Sequence, residues 1–139
     1  MRLDKLTIKA QEALQAAQSL ATELHHSELN SLHLLSSLMQ DREGIVRPLL
    51  SKLGADADRI ASITQSELKR LPSISGASQL GMSRDVQEVL SAAQKEADRL
   101  KDEYLSTEHL LLALAQVASP AKEVLSAMSV TRDDILTAL

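Results

Sequence analysis

Gln11-Glu12-Ala13-Leu14-Gln15-Ala16-Ala17-Gln18 returns 76 positions later as Gln87-Glu88-Val89-Leu90-Ser91-Ala92-Ala93-Gln94. The register holds through Ala21/Ala97, Leu24/Leu100, Leu29/Leu105, His33-Leu34-Leu35/His109-Leu110-Leu111 and Leu38/Leu114. It then becomes 75, pairing Leu50-Ser51 with Leu125-Ser126 and Ile60 with Ile135. Polar and apolar positions both recur, so the chain carries an internal duplication. Within the first copy, Ala10, Ala13, Leu14, Ala17, Leu20, Ala21 and Leu24 fall three and four apart; in the second, Val86, Val89, Leu90, Ala93, Ala97 and Leu100 do the same. That spacing is the stripe of an amphipathic helix. Two copies are too few for a stacked array, so the pattern predicts a compact pseudo-twofold domain.

Working outward, each copy reads as four helices. Thr7 or Asp4 is placed to cap the first, and His25-His26-Ser27 breaks it. Ser31 opens a short Leu-rich helix that runs towards Gly44. A third segment, 45–53, stops at Gly54, a residue suited to the position just past a helix end. A fourth spans 56–71 and is closed by Pro72. In the second copy Ser83 caps the stripe, Ser106 or Thr107 opens 108–117, Pro120 leads 121–128, and Thr131-Arg132-Asp133-Asp134 starts the last helix. The expected organisation is one domain over 1–139: a first repeat to about 71, a linker over 72–81, and a second repeat over 82–139. The fold class is all-α, eight helices in two pseudo-twofold four-helix repeats.

Composition agrees. The chain has 139 residues with 44% apolar and 24% charged content, the profile of a folded globular protein. Trp and Phe are absent and Tyr104 is the sole aromatic residue, which disfavours strands. Fifteen Lys and Arg against 19 Asp and Glu give a net charge of −4, unsuited to a phosphate-backbone binder, so no nucleic-acid partner is expected. With no cysteine, disulfides and thiolate chemistry are excluded. No run approaches the roughly 20 apolar residues of a membrane span. The opening Met1-Arg2-Leu3-Asp4-Lys5 lacks a signal-peptide core, so a cytoplasmic location is expected.

The opening Met1-Arg2-Leu3-Asp4-Lys5-Leu6-Thr7, the paired His-Leu-Leu segments, Ser106-Thr107-Glu108-His109-Leu110-Leu111 and the linker Leu71-Pro72-Ser73-Ile74-Ser75-Gly76 together resemble the Clp N-terminal repeat domain. This is the leading module of the Clp class of AAA+ protein-remodelling ATPases, and the resemblance covers essentially the entire chain. Its opening and linker look more like the ClpB disaggregase branch than like ClpC or ClpA. The resemblance implies a non-catalytic module that contacts unfolded or aggregated polypeptide through an apolar groove between the repeats. By motif it assigns substrate handling to Thr7, Asp102 and Glu108, and Leu90 to the groove. One departure, His109 where related domains carry leucine after the glutamate, predicts a less apolar groove. The resemblance also implies a hexameric parent whose missing ATPase domains hold ATP and Mg, cooperation with a DnaK-type chaperone system, and a role in the stress response. The fragment itself is expected to be a monomer without cofactor. The competing reading within the family is an adaptor-docking domain of a ClpC- or ClpA-like unfoldase.

Searching for chemistry returns little. The four glycines, Gly44, Gly54, Gly76 and Gly81, form no phosphate-cradling loop ahead of a Lys-Ser/Thr pair, so ATP hydrolysis is not expected from this chain. His25 and His26 are neighbours that cannot share a helical face and read as a solvated loop rather than a zinc site. The matched positions of His33 and His109 predict a structural role, in packing or in a hydrogen bond to the neighbouring loop. Asp133 and Asp134 fit a helix's first turn, where the macrodipole favours anions. Read from the residues alone, Thr7 is a helix cap and Glu108 an acid favoured at its own helix start. No nucleophile with an orienting base is evident, which makes a small helical enzyme the weakest of the alternatives.

Overall fold

The computed structural model describes residues 3–75 and 79–139. Among them are eight α-helices: α1 (Ile8–Glu23), α2 (Ser31–Gln40), α3 (Val46–Lys52), α4 (Ala57–Lys69), α5 (Arg84–Arg99), α6 (Thr107–Gln116), α7 (Pro120–Ala127) and α8 (Arg132–Ala138). The all-α expectation holds, helix by helix. Caps decide the starts: the Thr7, Asp56, Ser83, Ser119 and Thr131 side chains each accept a backbone N–H from the first turn of their helix. Helix α2 opens at Ser31 as expected, with Asn30 as its cap, and ends at Gln40, short of Gly44. Pro120 occupies the first turn of α7, where its missing N–H costs nothing.

Helix ends repeat as faithfully as starts. His25 and Lys101, 76 positions apart, have φ of 59° and 58°; Gly54 and Ser129, 75 apart, have 80° and 62°. Each lies just past a helix and adopts the left-handed conformation that turns the chain away. Only Gly54 is the residue that does so without a Cβ penalty.

Leu-rich α2 and α6 form the centre. Every residue of α2 from Ser31 to Met39 is buried, and so are Thr107 and the run His109 to Ala115 in α6. Helices apolar on all sides have nowhere else to go. One continuous core draws Leu34, Leu35 and Leu50 from the first repeat together with Leu110, Leu111 and Leu125 from the second. No single described helix is long and apolar enough to cross a membrane.

Helices α1 and α5 lie on this centre, against α2 and α6 respectively. Their starts are fastened crosswise. Leu6 pairs with Leu105 in a parallel bridge, and the Thr7 N–H donates to the Leu105 carbonyl at 2.9 Å. In the matching place β1 (Glu28–Leu29) runs parallel to β2 (Gly81–Met82), and the Ser83 N–H donates to the Leu29 carbonyl at 2.9 Å. The β1–β2 pair puts ordered structure at the edge of the expected linker. Residues 76–78 of that linker lie outside the described residues.

Two details depart from the stripe pattern. Leu100, read as the last apolar position of α5, is its C-cap and is 39% exposed. Glu96 is instead buried on the inner face of α5, where the Arg132 guanidinium grips it through two hydrogen bonds of 2.8 Å and Arg99 adds a third. Those charge-assisted bonds hold the Glu96 carboxyl below the usual carboxylate range despite its burial.

Candidate functional site

Between α1 and α5 lies an open groove of about 800 Å³. Leu6, Leu29 and Leu90 are buried at its floor, and Leu14 is half-buried beside them. The lining is matched across the duplication: Leu14 with Leu90, Leu6 with Met82, Gln11 with Gln87, Gln18 with Gln94. Even the hydrogen bonds agree, since the Gln11 amide donates to the Leu6 carbonyl at 3.2 Å and the Gln87 amide to the Met82 carbonyl at 3.3 Å. Among the described residues no carboxylate lines the groove, and Lys95 is the one charged residue there. Leu90 thus lies in an apolar trough between α1 and α5. The polar lining of the trough is mostly carboxamides, Gln11, Gln15, Gln18, Gln87 and Gln94.

The three other predicted residues lie elsewhere. Thr7, Asp102 and Glu108 come together in a separate, shallow depression of about 670 Å³ whose remaining walls include Leu100, Tyr104, Leu136 and Leu139. Leu6 faces the groove and Thr7 the depression, so the extended stretch carrying them divides the two sites. Side chains of successive extended residues point to opposite faces, which is why adjacent residues serve different surfaces.

Each of these residues has a structural partner. The Thr7 hydroxyl accepts the Ala10 N–H at 3.1 Å and caps α1. Asp102 accepts from Nε2 of buried His109 at 2.8 Å, while Nδ1 of His109 accepts the Ser106 N–H at 2.9 Å. That second bond closes a capping box at the start of α6, with histidine in the position more often held by Glu or Gln. Glu108, half-buried in the first turn of α6, has its carboxyl pushed up by burial; His109 opposes the shift and Asp102 reinforces it. His109 lines this depression and not the groove, so the expected loss of groove hydrophobicity does not follow.

The first repeat answers with a variation. His33 makes the same box, Nδ1 accepting the Asn30 N–H at 3.0 Å. Its Nε2 meets Nδ1 of His26 at 2.7 Å, and His26 stands where the second repeat has Asp102. His26 is therefore buried, not a solvated loop residue, while His25 is exposed. The matched His33 and His109 do hydrogen-bond to the neighbouring loops, as their recurrence predicted. Among the described residues there is no group of three or more side chains placed to hold a metal ion.

Comparison with known proteins follows this geometry. Residues 5–128 match the family model described as the Clp repeat (R) N-terminal domain. The chaperone protein ClpB of Rhodopirellula baltica is 44% identical over 138 residues, covering 99% of this chain and 16% of that protein. The chain thus spans about a sixth of the length of the curated relatives it matches. Among solved structures, the Hsp104 N-terminal domain of Candida albicans superposes with a TM-score of 0.85 at 24% identity, covering 96% of this chain and 88% of that one. A ClpV N-domain in complex with a VipB peptide superposes at 0.73 and 22% identity, covering 97% and 89%. These last two establish the fold. The model match over most of its length, together with the 44% identity to ClpB, shows that this chain belongs to the Clp repeat N-terminal domain family, the N-terminal domain of ClpB-type AAA+ chaperones.

Proposed function

We propose that this chain is the substrate-engaging module of a ClpB-like disaggregase, a non-catalytic domain that holds apolar segments of unfolded or aggregated polypeptide in the groove between α1 and α5. The observation that carries the reading is the open apolar trough at Leu14 and Leu90, which none of the other described residues covers. Seating two leucine-sized side chains there removes apolar area worth of order 4 kcal/mol before ordering costs. Ordering costs subtract from that figure, so binding is weak, with a Kd in the millimolar range or above, which lets a loading domain release its client to the ring. ATP and Mg, hexamer assembly, cooperation with a DnaK-type system, stress response and a cytoplasmic location belong to the parent in this proposal.

The Thr7–Asp102–Glu108 depression is a second contact surface, whose acids favour clients carrying basic residues beside apolar ones. A second reading, docking of one defined partner as in adaptor-binding relatives, is favoured by the ClpV N-domain solved with a VipB peptide. Amide-shift titration of the isotope-labelled chain with an unfolded client separates them. The proposal expects graded shifts around Leu14 and Leu90 with many unrelated clients, lost in Leu90→Asp. Silence at both surfaces at millimolar client overturns it, and tight saturation by a single partner favours docking.

A further inference from the structure

The duplication has a geometric effect on whatever lies in the groove. The start of α1 is bonded to Leu105, just beyond the end of α5, and the start of α5 to Leu29, just beyond the end of α1. The two helices therefore run antiparallel along opposite walls, and the pseudo-twofold axis stands upright in the groove between them. Rotation about that axis carries Leu14 onto Leu90, Gln11 onto Gln87 and Gln18 onto Gln94. It also reverses the direction of a chain lying along the trough. The end of the groove at Leu6 and Gln94 is thereby equivalent to the end at Met82 and Gln18.

We propose that the groove binds a neutral, extended apolar segment equally well in either chain direction. This rests on the reading of the groove as a client site. From Gln11 to Gln18 the α1 wall of the groove is about 10 Å long, room for about three extended residues. An extended backbone presents N–H and C=O groups along both edges whichever way it runs. Carboxamides donate and accept equally, so a glutamine rim reads such a backbone without regard to its polarity. The proposal concerns a neutral occupant because Lys95, the one charged residue among the described lining residues, would orient a charged one.

The match breaks at three places. Leu29 lines the groove and its counterpart Leu105 does not. Gln15 corresponds to Ser91, and Lys95 corresponds to Ser19, which does not line the groove. Lys95 is the break that matters, because a long, flexible ammonium group at one end attracts a carboxylate. A client with an acid at one terminus of its apolar stretch is consequently turned so that the acid lies at the Gln94 end. Neutral stretches stay unoriented. A module that accepts both directions engages an exposed apolar stretch however it emerges from an aggregate.

The test uses the 139-residue chain, isotope-labelled, with a neutral end-blocked peptide of leucine, valine and serine bearing a nitroxide at its first or its last residue. The expected result is that either label broadens the amides around both ends, Leu6 with Gln94 and Met82 with Gln18. The peptide and its reversed sequence bind within about twofold of one another. Adding one aspartate beside the label confines the broadening to the Gln94 end, and Lys95→Ser restores both. A neutral peptide that shifts Leu14 and Leu90 but broadens one end alone overturns the proposal and leaves the client site standing. Absence of any shift at Leu14 and Leu90 overturns both.

Discussion

Replacing His33 with glutamine separates what its ring does as a cap from what it does as a titratable group. The ring is fully buried, accepts the Asn30 N–H at Nδ1, and hands its Nε2 to His26. Burial, helped by neighbouring His26 and opposed by Asp85, lowers its pKa from 6.5 to about 4. At about 1.4 kcal/mol per unit, the neutral ring contributes about 3 kcal/mol of stability that protonation removes. Because the folded pKa is the depressed one, that stability is complete above the unfolded value of 6.5 and is lost as pH falls towards 4. Burial shifts His26 in the same direction and adds to the same window. Glutamine at this position keeps the capping box but has no proton to gain. Urea unfolding followed by far-UV circular dichroism, repeated from neutrality down to about pH 4, should show the wild type losing about 3 kcal/mol more than His33→Gln over that range. The Glu96 carboxyl, held low by Arg132, titrates alike in both proteins and cancels in the difference. Parallel stability profiles would refute the argument.

Two further substitutions probe the second repeat. Arg132→Ala leaves the Glu96 carboxylate buried with Arg99 as its remaining partner, and stranding a buried charge in this way costs about 3 kcal/mol. Thermal melts will show it, and a shift no larger than that of an exposed arginine would mean that Arg99 suffices. Glu108→Gln removes a carboxylate that burial and Asp102 both disfavour, so the variant should unfold at equal or higher urea while its amide-shift response to basic, apolar clients falls. Marked destabilisation would show instead that Glu108 matters to the start of α6 more than to clients.

How far the residues announced this arrangement depends on the range of the interaction. The eight helices were legible because capping and apolar spacing are local, and the duplication doubled every signal. The Asn30 cap of α2 rests on its side chain reaching the Leu32 N–H, a contact that apolar spacing does not reveal. The β1–β2 pair, two residues to a strand, is too short to alternate visibly. His26 looked like loop because its burial comes from packing against His33 and not from its own neighbours in sequence. Glu96 did fall on the inner face of α5 by spacing from Val89 and Ala93, but its partner Arg132 lies 36 positions on. Leu90 lines the groove whereas Thr7, Asp102 and Glu108 lie on the other surface, a separation that spacing along the chain does not reveal because the extended backbone at Leu6 and Thr7 sends neighbouring residues to opposite faces.

The crosswise fastening of α1 and α5 makes the two halves mutually dependent. Each supplies the strand on which the other's first helix begins, so neither half isolated could complete its own edge or keep one wall of the trough facing another. The molecule is, in effect, a homodimer whose partners have been spliced end to end. Cleaving the splice should leave two pieces that must find each other to fold, and a chain of one half alone would be driven to pair with its own copy.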